Sequence, residues 1–143
     1  MATIFLGLGS NLGNRNKNIH HALAALKQAD IKIVQLSSII ETEPVDGPGQ
    51  DKFLNAVLKA ETALSPEDLL IEIKMIEKNL GRTSSVRNGP RVIDIDILLY
   101  DDIKISTVYL EIPHPRMLER DFVMDPLREI APTLFEELCD ANT

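Results

Sequence analysis

The stretch Val92-Ile93-Asp94-Ile95-Asp96-Ile97-Leu98-Leu99-Tyr100 sets two carboxylates inside an otherwise apolar, β-branched run. Its length and composition predict a buried strand, in which alternate side chains share a face. Asp94 and Asp96 then point one way, while Ile93, Ile95, Ile97 and Leu99 fill the other face. At about 3.3 Å rise per residue the two acidic side chains start roughly 6 to 7 Å apart, within reach of a pair of divalent ions about 3.5 to 4 Å apart. Two anions in such a run repel each other and resist burial, so positive charge is required nearby. A metal could supply it, and so could arginine, because Arg82, Arg87 and Arg91 precede the strand in a loop broken by Gly89-Pro90. A plainer reading is also open: an acidic edge strand that discourages strand addition, with surface arginines beside it.

A chain of 143 residues is most simply one domain, 1–143, and is long enough to bury a substantial core. Its formal charge of -7 argues against a nonspecific nucleic-acid binder, which needs a broad basic face. Lys78, Arg82, Arg87 and Arg91 make a local basic patch in this acidic background, suited to a small polyanion that arrives with metal ions. The single cysteine, Cys139, cannot form an internal disulfide, which suits a reducing cytosol. No signal peptide or membrane-length apolar run is present, so a soluble, cytoplasmic protein is expected.

In chain order, Ala2 to Leu8 reads as a strand that enters a glycine-rich turn, Gly7-Leu8-Gly9-Ser10-Asn11-Leu12-Gly13. The three glycines give G-x-G-x-x-x-G, one residue longer than the dinucleotide fingerprint, and no P-loop lysine follows. Ile19, Ala22, Leu23 and Leu26 predict a helix capped by Asn14 or Asn16. Ile31 to Ile40 reads as a second strand, Glu41 to Lys52 as a long Pro/Gly-bearing loop, and Phe53 to Glu61 as a third strand with Phe53, Asn55, Val57 and Lys59 on one face. Asn55 there either ties down a loop or meets a ligand.

Ser65-Pro66 begins a helix that runs to about Leu80 and stops at Gly81, with Leu69, Leu70, Ile73, Ile76 and Leu80 as its stripe and Lys74 and Glu77 on other faces. After the Asp94/Asp96 strand, Asp101-Asp102 turns into a short hairpin partner at Ile103 to Ile105. His114 is held rigidly between two prolines. Arg116 to Arg120 predicts a helical turn and Phe122 to Ile130 a helix despite Pro126, and the acidic tail from Pro132 reads as a marginal helix. The order strand, helix, strand, strand, helix, strand predicts an α+β fold: a ferredoxin-like antiparallel sheet with helices packed on it, sandwich-like (α/β/α) and with the helices mainly on one side.

Several motifs now combine. Gly9-Ser10-Asn11-Leu12-Gly13, Glu41-Thr42-Glu43-Pro44-Val45, Phe53-Leu54-Asn55-Ala56, Gly89-Pro90-Arg91 with Asp94-Ile95-Asp96, and Pro113-His114-Pro115-Arg116-Met117 leading to Arg120-Asp121-Phe122 resemble, in order, the 6-hydroxymethyl-7,8-dihydropterin pyrophosphokinases of folate synthesis. The resemblance spans Ala2 to about Ile130. It implies transfer of the β,γ-pyrophosphoryl group of ATP to the pterin's hydroxymethyl oxygen, with release of AMP. By the same resemblance Asp94 and Asp96 hold two magnesium ions and, with Arg82 and Arg91, form the catalytic set. Arg82, Arg87, Arg91, His114 and Arg120 grip the phosphates, while Glu77 and Leu110 help seat the nucleotide. Thr42, Val45, Phe53, Asn55 and Phe122 form the pterin pocket, where Asn55 bonds the heterocycle's amide edge and Phe122 stacks on it. Ser84 and Asn88 stand where the family carries an arginine and a tryptophan, which implies weaker substrate binding or altered closure of that loop. The implied partners are the two small-molecule substrates, with no nucleic acid and no membrane, and a monomer is expected. The competing readings are a non-catalytic ligand-binding module of ferredoxin-like architecture and another metal-dependent phosphotransfer or hydrolytic enzyme, which fold alone does not separate.

Overall fold

A computed structural model of the chain describes residues 1–43, 52–81 and 92–141. Apolar residues that alternate along β1 (Ala2–Ser10), β4 (Phe53–Thr62) and β5 (Asp94–Tyr100) place these strands side by side, with β2 (Ile31–Leu36) and β3 (Ile40–Thr42) both paired to β4. The order is β2-β4-β1-β5 and every pairing is antiparallel, which is the ferredoxin-like arrangement with its second strand broken in two.

The predicted Ile31 to Ile40 strand therefore ends early and resumes as β3, which takes Glu41 and Thr42 out of the expected loop. Ser37 causes the break. Its backbone N–H donates to Val57 O, while its hydroxyl accepts from Val57 N, so a side chain replaces one rung of the ladder. The next residue, Ser38, gives its N–H and its hydroxyl to the carboxylate of Glu129.

Helices α1 (Arg15–Gln28) and α2 (Pro66–Asn79) cover one face of the sheet. Asn14 caps α1 by accepting from Lys17 N, and Ser65 caps α2 by accepting from Asp68 N with Pro66 at the first helical position. Gly81 adopts a φ of 103° just past α2, as a helix stop requires. Ile4, Leu6, Leu8, Ile19, Leu26, Leu58, Leu69, Ile73, Ile93, Ile95 and Ile97 form this main core.

The expectation that the helices lie mainly on one side is corrected by the chain's last third. Here α3 (Asp121–Ile130) and α4 (Pro132–Asp140) build a second core on the opposite face, from Phe5, Val57, Leu98, Leu99, Met117, Val123, Met124 and Leu127. Pro126 sits inside α3 without ending it. Leu99 was expected on the isoleucine face but belongs to this second core. The register of β5 slips against β1 at Phe5/Leu6, and the extra residue, Leu98, is a bulge that shifts the alternation by one. Ile105 pairs not with β5 but with Ile112, in the two-stranded ribbon of β6 (Ile105–Ser106) and β7 (Glu111–Ile112). The turn before it is tied to β1, where Asp101 bonds Thr3 through backbone and side chain. Among the described residues, no helix is long and apolar enough to cross a membrane.

Candidate functional site

The register of the three central strands decides where the chemistry sits. Gly7 lies between Val57 and Asp96, and Gly9 between Asn55 and Asp94, all on the face that looks toward α3. With no side chain on either glycine, the middle of that row is hollow. The glycines are not the turn that the sequence suggested, since β1 continues through both to Ser10. A Cβ on Gly9 would lie 2.9 Å from Asn55 Oδ1 and 3.4 Å from Phe53 Cδ1, so the close approach of these two side chains needs glycine there.

The hollow is a cavity of about 110 Å³. Thr42, Phe53 and Asn55 line one side and Asp94 and Asp96 the other, while Arg120 and Phe122 close it from the start of α3. Asn55 is buried and donates from Nδ2 to the Thr42 hydroxyl, which fixes its amide plane at the edge of the cavity. The Arg120 guanidinium lies over the Phe122 ring, 5.5 Å from its centroid, and holds the ring and a positive charge together.

Burial raises the pKa of Asp96 to about 7, with the charge of Asp94 as the next contribution and Glu77 adding to it; Arg120 and Lys74 pull the other way. The site thus holds more negative charge than its described cations offset at Asp96. A pair of adjacent carboxylates in this condition fits magnesium, which is commonly held by one or two carboxylates and completed by phosphate oxygens and water. Among the described residues no three acidic, histidine or cysteine side chains converge.

Glu77, which its spacing places off the apolar stripe of α2, is nevertheless buried, with a relative exposure of 2%. Its Oε2 accepts from the backbone N–H of Ile95 at 2.8 Å, between the two aspartates, and Lys74 Nζ lies 3.4 Å from its Oε1. His114 is half-buried. Its Nδ1 accepts from Arg116 N, which leaves the proton on Nε2, and burial followed by the Arg120 charge lowers its pKa. The ring is a neutral donor near neutral pH.

Seven residues predicted from the sequence, Thr42, Phe53, Asn55, Asp94, Asp96, Arg120 and Phe122, are brought to one cavity. Leu110 is not among its walls; it lines a separate apolar groove with Leu70, Lys74 and Tyr109. Arg82, Arg87, Arg91 and Val45, together with Ser84 and Asn88, lie outside the described residues. Gly7, Gly9 and Val123 were missed as site residues. For the glycines a signal existed, since two of them alternating within an apolar run mark a strand face kept clear for something else.

The chain matches the 7,8-dihydro-6-hydroxymethylpterin-pyrophosphokinase (HPPK) family over residues 5–132. It is 45% identical to the 2-amino-4-hydroxy-6-hydroxymethyldihydropteridine pyrophosphokinase of Aquifex aeolicus over 138 residues, which is 96% of this chain and 86% of that protein. The Bacillus subtilis enzyme of the same name is 44% identical over 97% of this chain and 84% of its own length. Longer relatives contain the match as one part: the fol1 folic acid synthesis protein of Pneumocystis carinii is 45% identical over 92% of this chain, which spans 18% of it. Among solved structures, the Plasmodium falciparum HPPK-DHPS shares the fold at a TM-score of 0.69 with 18% identity, covering 92% of this chain and 40% of that one.

Proposed function

Because the chain belongs to the 7,8-dihydro-6-hydroxymethylpterin-pyrophosphokinase family and is a pyrophosphokinase of folate biosynthesis, we propose that its cavity takes the pterin and that Asp94 and Asp96 face the triphosphate of ATP. The hydroxymethyl oxygen attacks the β-phosphorus, the bridge to the α-phosphorus breaks, and AMP departs with the bridging oxygen. The observation that carries this reading is the shared face on which Gly9 separates Asn55 from Asp94. A planar heterocycle that reaches Asn55 has its substituent directed across a glycine toward the carboxylates.

Each described side chain then has a task. The Asn55 amide and the Thr42 hydroxyl meet the polar edge of the ring, while Phe53 and Phe122 supply apolar faces for it. Arg120, braced on Phe122, and neutral His114 stabilise charge on the transferring group, with Arg82, Arg87 and Arg91 as further phosphate contacts. Asp94 and Asp96 would hold two magnesium ions, which would supply neutralisation of phosphate charge and polarisation of the acceptor hydroxyl. Glu77 fixes the backbone between the two aspartates on the nucleotide side of the site. The enzyme acts in the cytoplasm as a monomer. The test is to mix the protein with ATP, magnesium and 6-hydroxymethyl-7,8-dihydropterin. AMP and the pterin diphosphate should appear together, whereas ADP or unreacted pterin would overturn the reading.

A further inference from the structure

We propose that Arg15 is a positioning residue for the pterin side of the cleft, stapling both stems of the segment 44–51 from the opposite face of the sheet; this rests on the functional reading above. One nitrogen, NH1, donates to the backbone carbonyl of Lys52 at 2.8 Å and lies 3.0 Å from Glu41 Oε2. Glu41 is in β3 and Lys52 immediately precedes β4, so a single guanidinium ties the outgoing and the returning chain. A second pair, Lys52 Nζ with Glu43 Oε1 at 3.3 Å, crosses the same gap.

The staple is itself anchored. Arg15 is the first residue of α1, and the Asn14 cap holds that turn, while Asn18 Nδ2 donates to Leu12 O and Ser10 Oγ and so fastens the helix to the end of β1. What Arg15 holds is not the cavity wall but its support. In a strand, neighbours point to opposite faces. Glu41 therefore faces Arg15, while Thr42, the next residue, faces the cavity, pairs in register with Phe53 and accepts from Asn55. With the stems fixed before the pterin arrives, less ordering is left to be done on binding. Without the staple, Thr42 at the end of the three-residue β3 and Phe53 at the start of β4 are held together by the short β3–β4 pairing, the Asn55 bond and the exposed Lys52–Glu43 pair.

The test uses the intact protein and reads pterin binding by the ligand's own fluorescence, ATP binding, turnover, and amide exchange at Thr42 and Phe53. Arg15→Ala is expected to weaken pterin binding roughly threefold to tenfold, the range for losing a partly exposed ion pair and one charge-assisted hydrogen bond. Binding of ATP and kcat at saturating pterin should stay within about twofold of wild type. Arg15→Lys keeps the positive charge on a shorter side chain and should fall between. Arg15→Ala combined with Glu41→Ala should lose less than the sum of the two single changes. Exchange at Thr42 and Phe53 should quicken in Arg15→Ala. Unchanged pterin affinity and unchanged exchange would overturn the proposal, as would a parallel loss of both substrates with a lowered Tm, the mark of a general folding role. Wild-type protein that failed to bind pterin would overturn the functional reading instead, and the exchange measurement would still decide the staple.

Discussion

The two faces of the sheet are made from the same three strands and do opposite things. Toward α1 and α2, strands β1, β4 and β5 present Ile4, Leu6, Leu8, Leu58, Ala60, Ile95 and Ile97, all buried in one aliphatic core. Toward α3 the residues between them begin in the same way, with Phe5, Val57 and Leu98 in the second core, but then change to Gly7, Gly9, Asn55, Asp94 and Asp96 as the strands run out from under the helix. One face is saturated with packing. The other is packed at one end and left hollow and charged at the other, so stability and chemistry are separated by alternation along single strands.

That division can be broken by substitution. Asp96→Asn should have the largest effect, lowering kcat/KM by roughly a hundredfold to a thousandfold or more, the scale for losing one preorganised electrostatic contact. It should do so without loss of the fold. Burial already raises the pKa of Asp96 above that of an unfolded carboxyl, so in the metal-free protein its stabilising proton is present below about pH 4 and is lost as the pH rises through about 7. The Tm of the metal-free wild type should therefore fall across that window relative to Asp96→Asn, as calorimetry at stepped pH would measure. A flat difference between the two proteins would place the Asp96 charge in solvent.

Leu6→Ala tests the opposite face. Leu6 is fully buried, and the change should destabilise by about 2 to 5 kcal/mol in urea unfolding while leaving KM for both substrates near wild type. A substrate-specific defect would mean that the faces are coupled. Gly9→Ala tests the boundary between packing and hollow. The new methyl would press on Asn55 Oδ1, so pterin affinity should fall about tenfold, roughly 1.4 kcal/mol, with ATP affinity held. Equal losses for both ligands would show the hollow to be shared rather than divided.

Much of this was legible in the sequence where the cause is local. Ser65-Pro66 and Gly81 bracket α2 as caps should, the Asp94/Asp96 alternation gave the correct face for both acids, and the element order predicted the ferredoxin-like sheet. The misreadings share a long-range cause. The break at Ser37 depends on Val57 and on Glu129, the latter 91 residues from Ser38, and no local pattern records it. Leu99 changed face because a bulge at Leu98 is set by pairing with β1, and two adjacent leucines look the same in either phase. Glu77 read as lying off the apolar stripe, and its burial was not legible because its partner is a backbone amide of another element. Gly7 and Gly9 suggested a turn because the reason for them, the closeness of Asn55 and Phe53, exists only once β4 lies alongside β1.

The position of β5 at the margin of the sheet has a consequence for strand addition. Among the described residues only β1 hydrogen-bonds it as a strand, so its outer rim would offer amides and carbonyls to any extended peptide that drifted past. Two of those groups are already taken: the Glu77 carboxylate occupies the Ile95 amide, and the His114 amide occupies the Leu98 carbonyl. Both contacts come from parts of the chain that flank the candidate site, so the groups that cover this rim against strand addition also hold the backbone that carries the two acids.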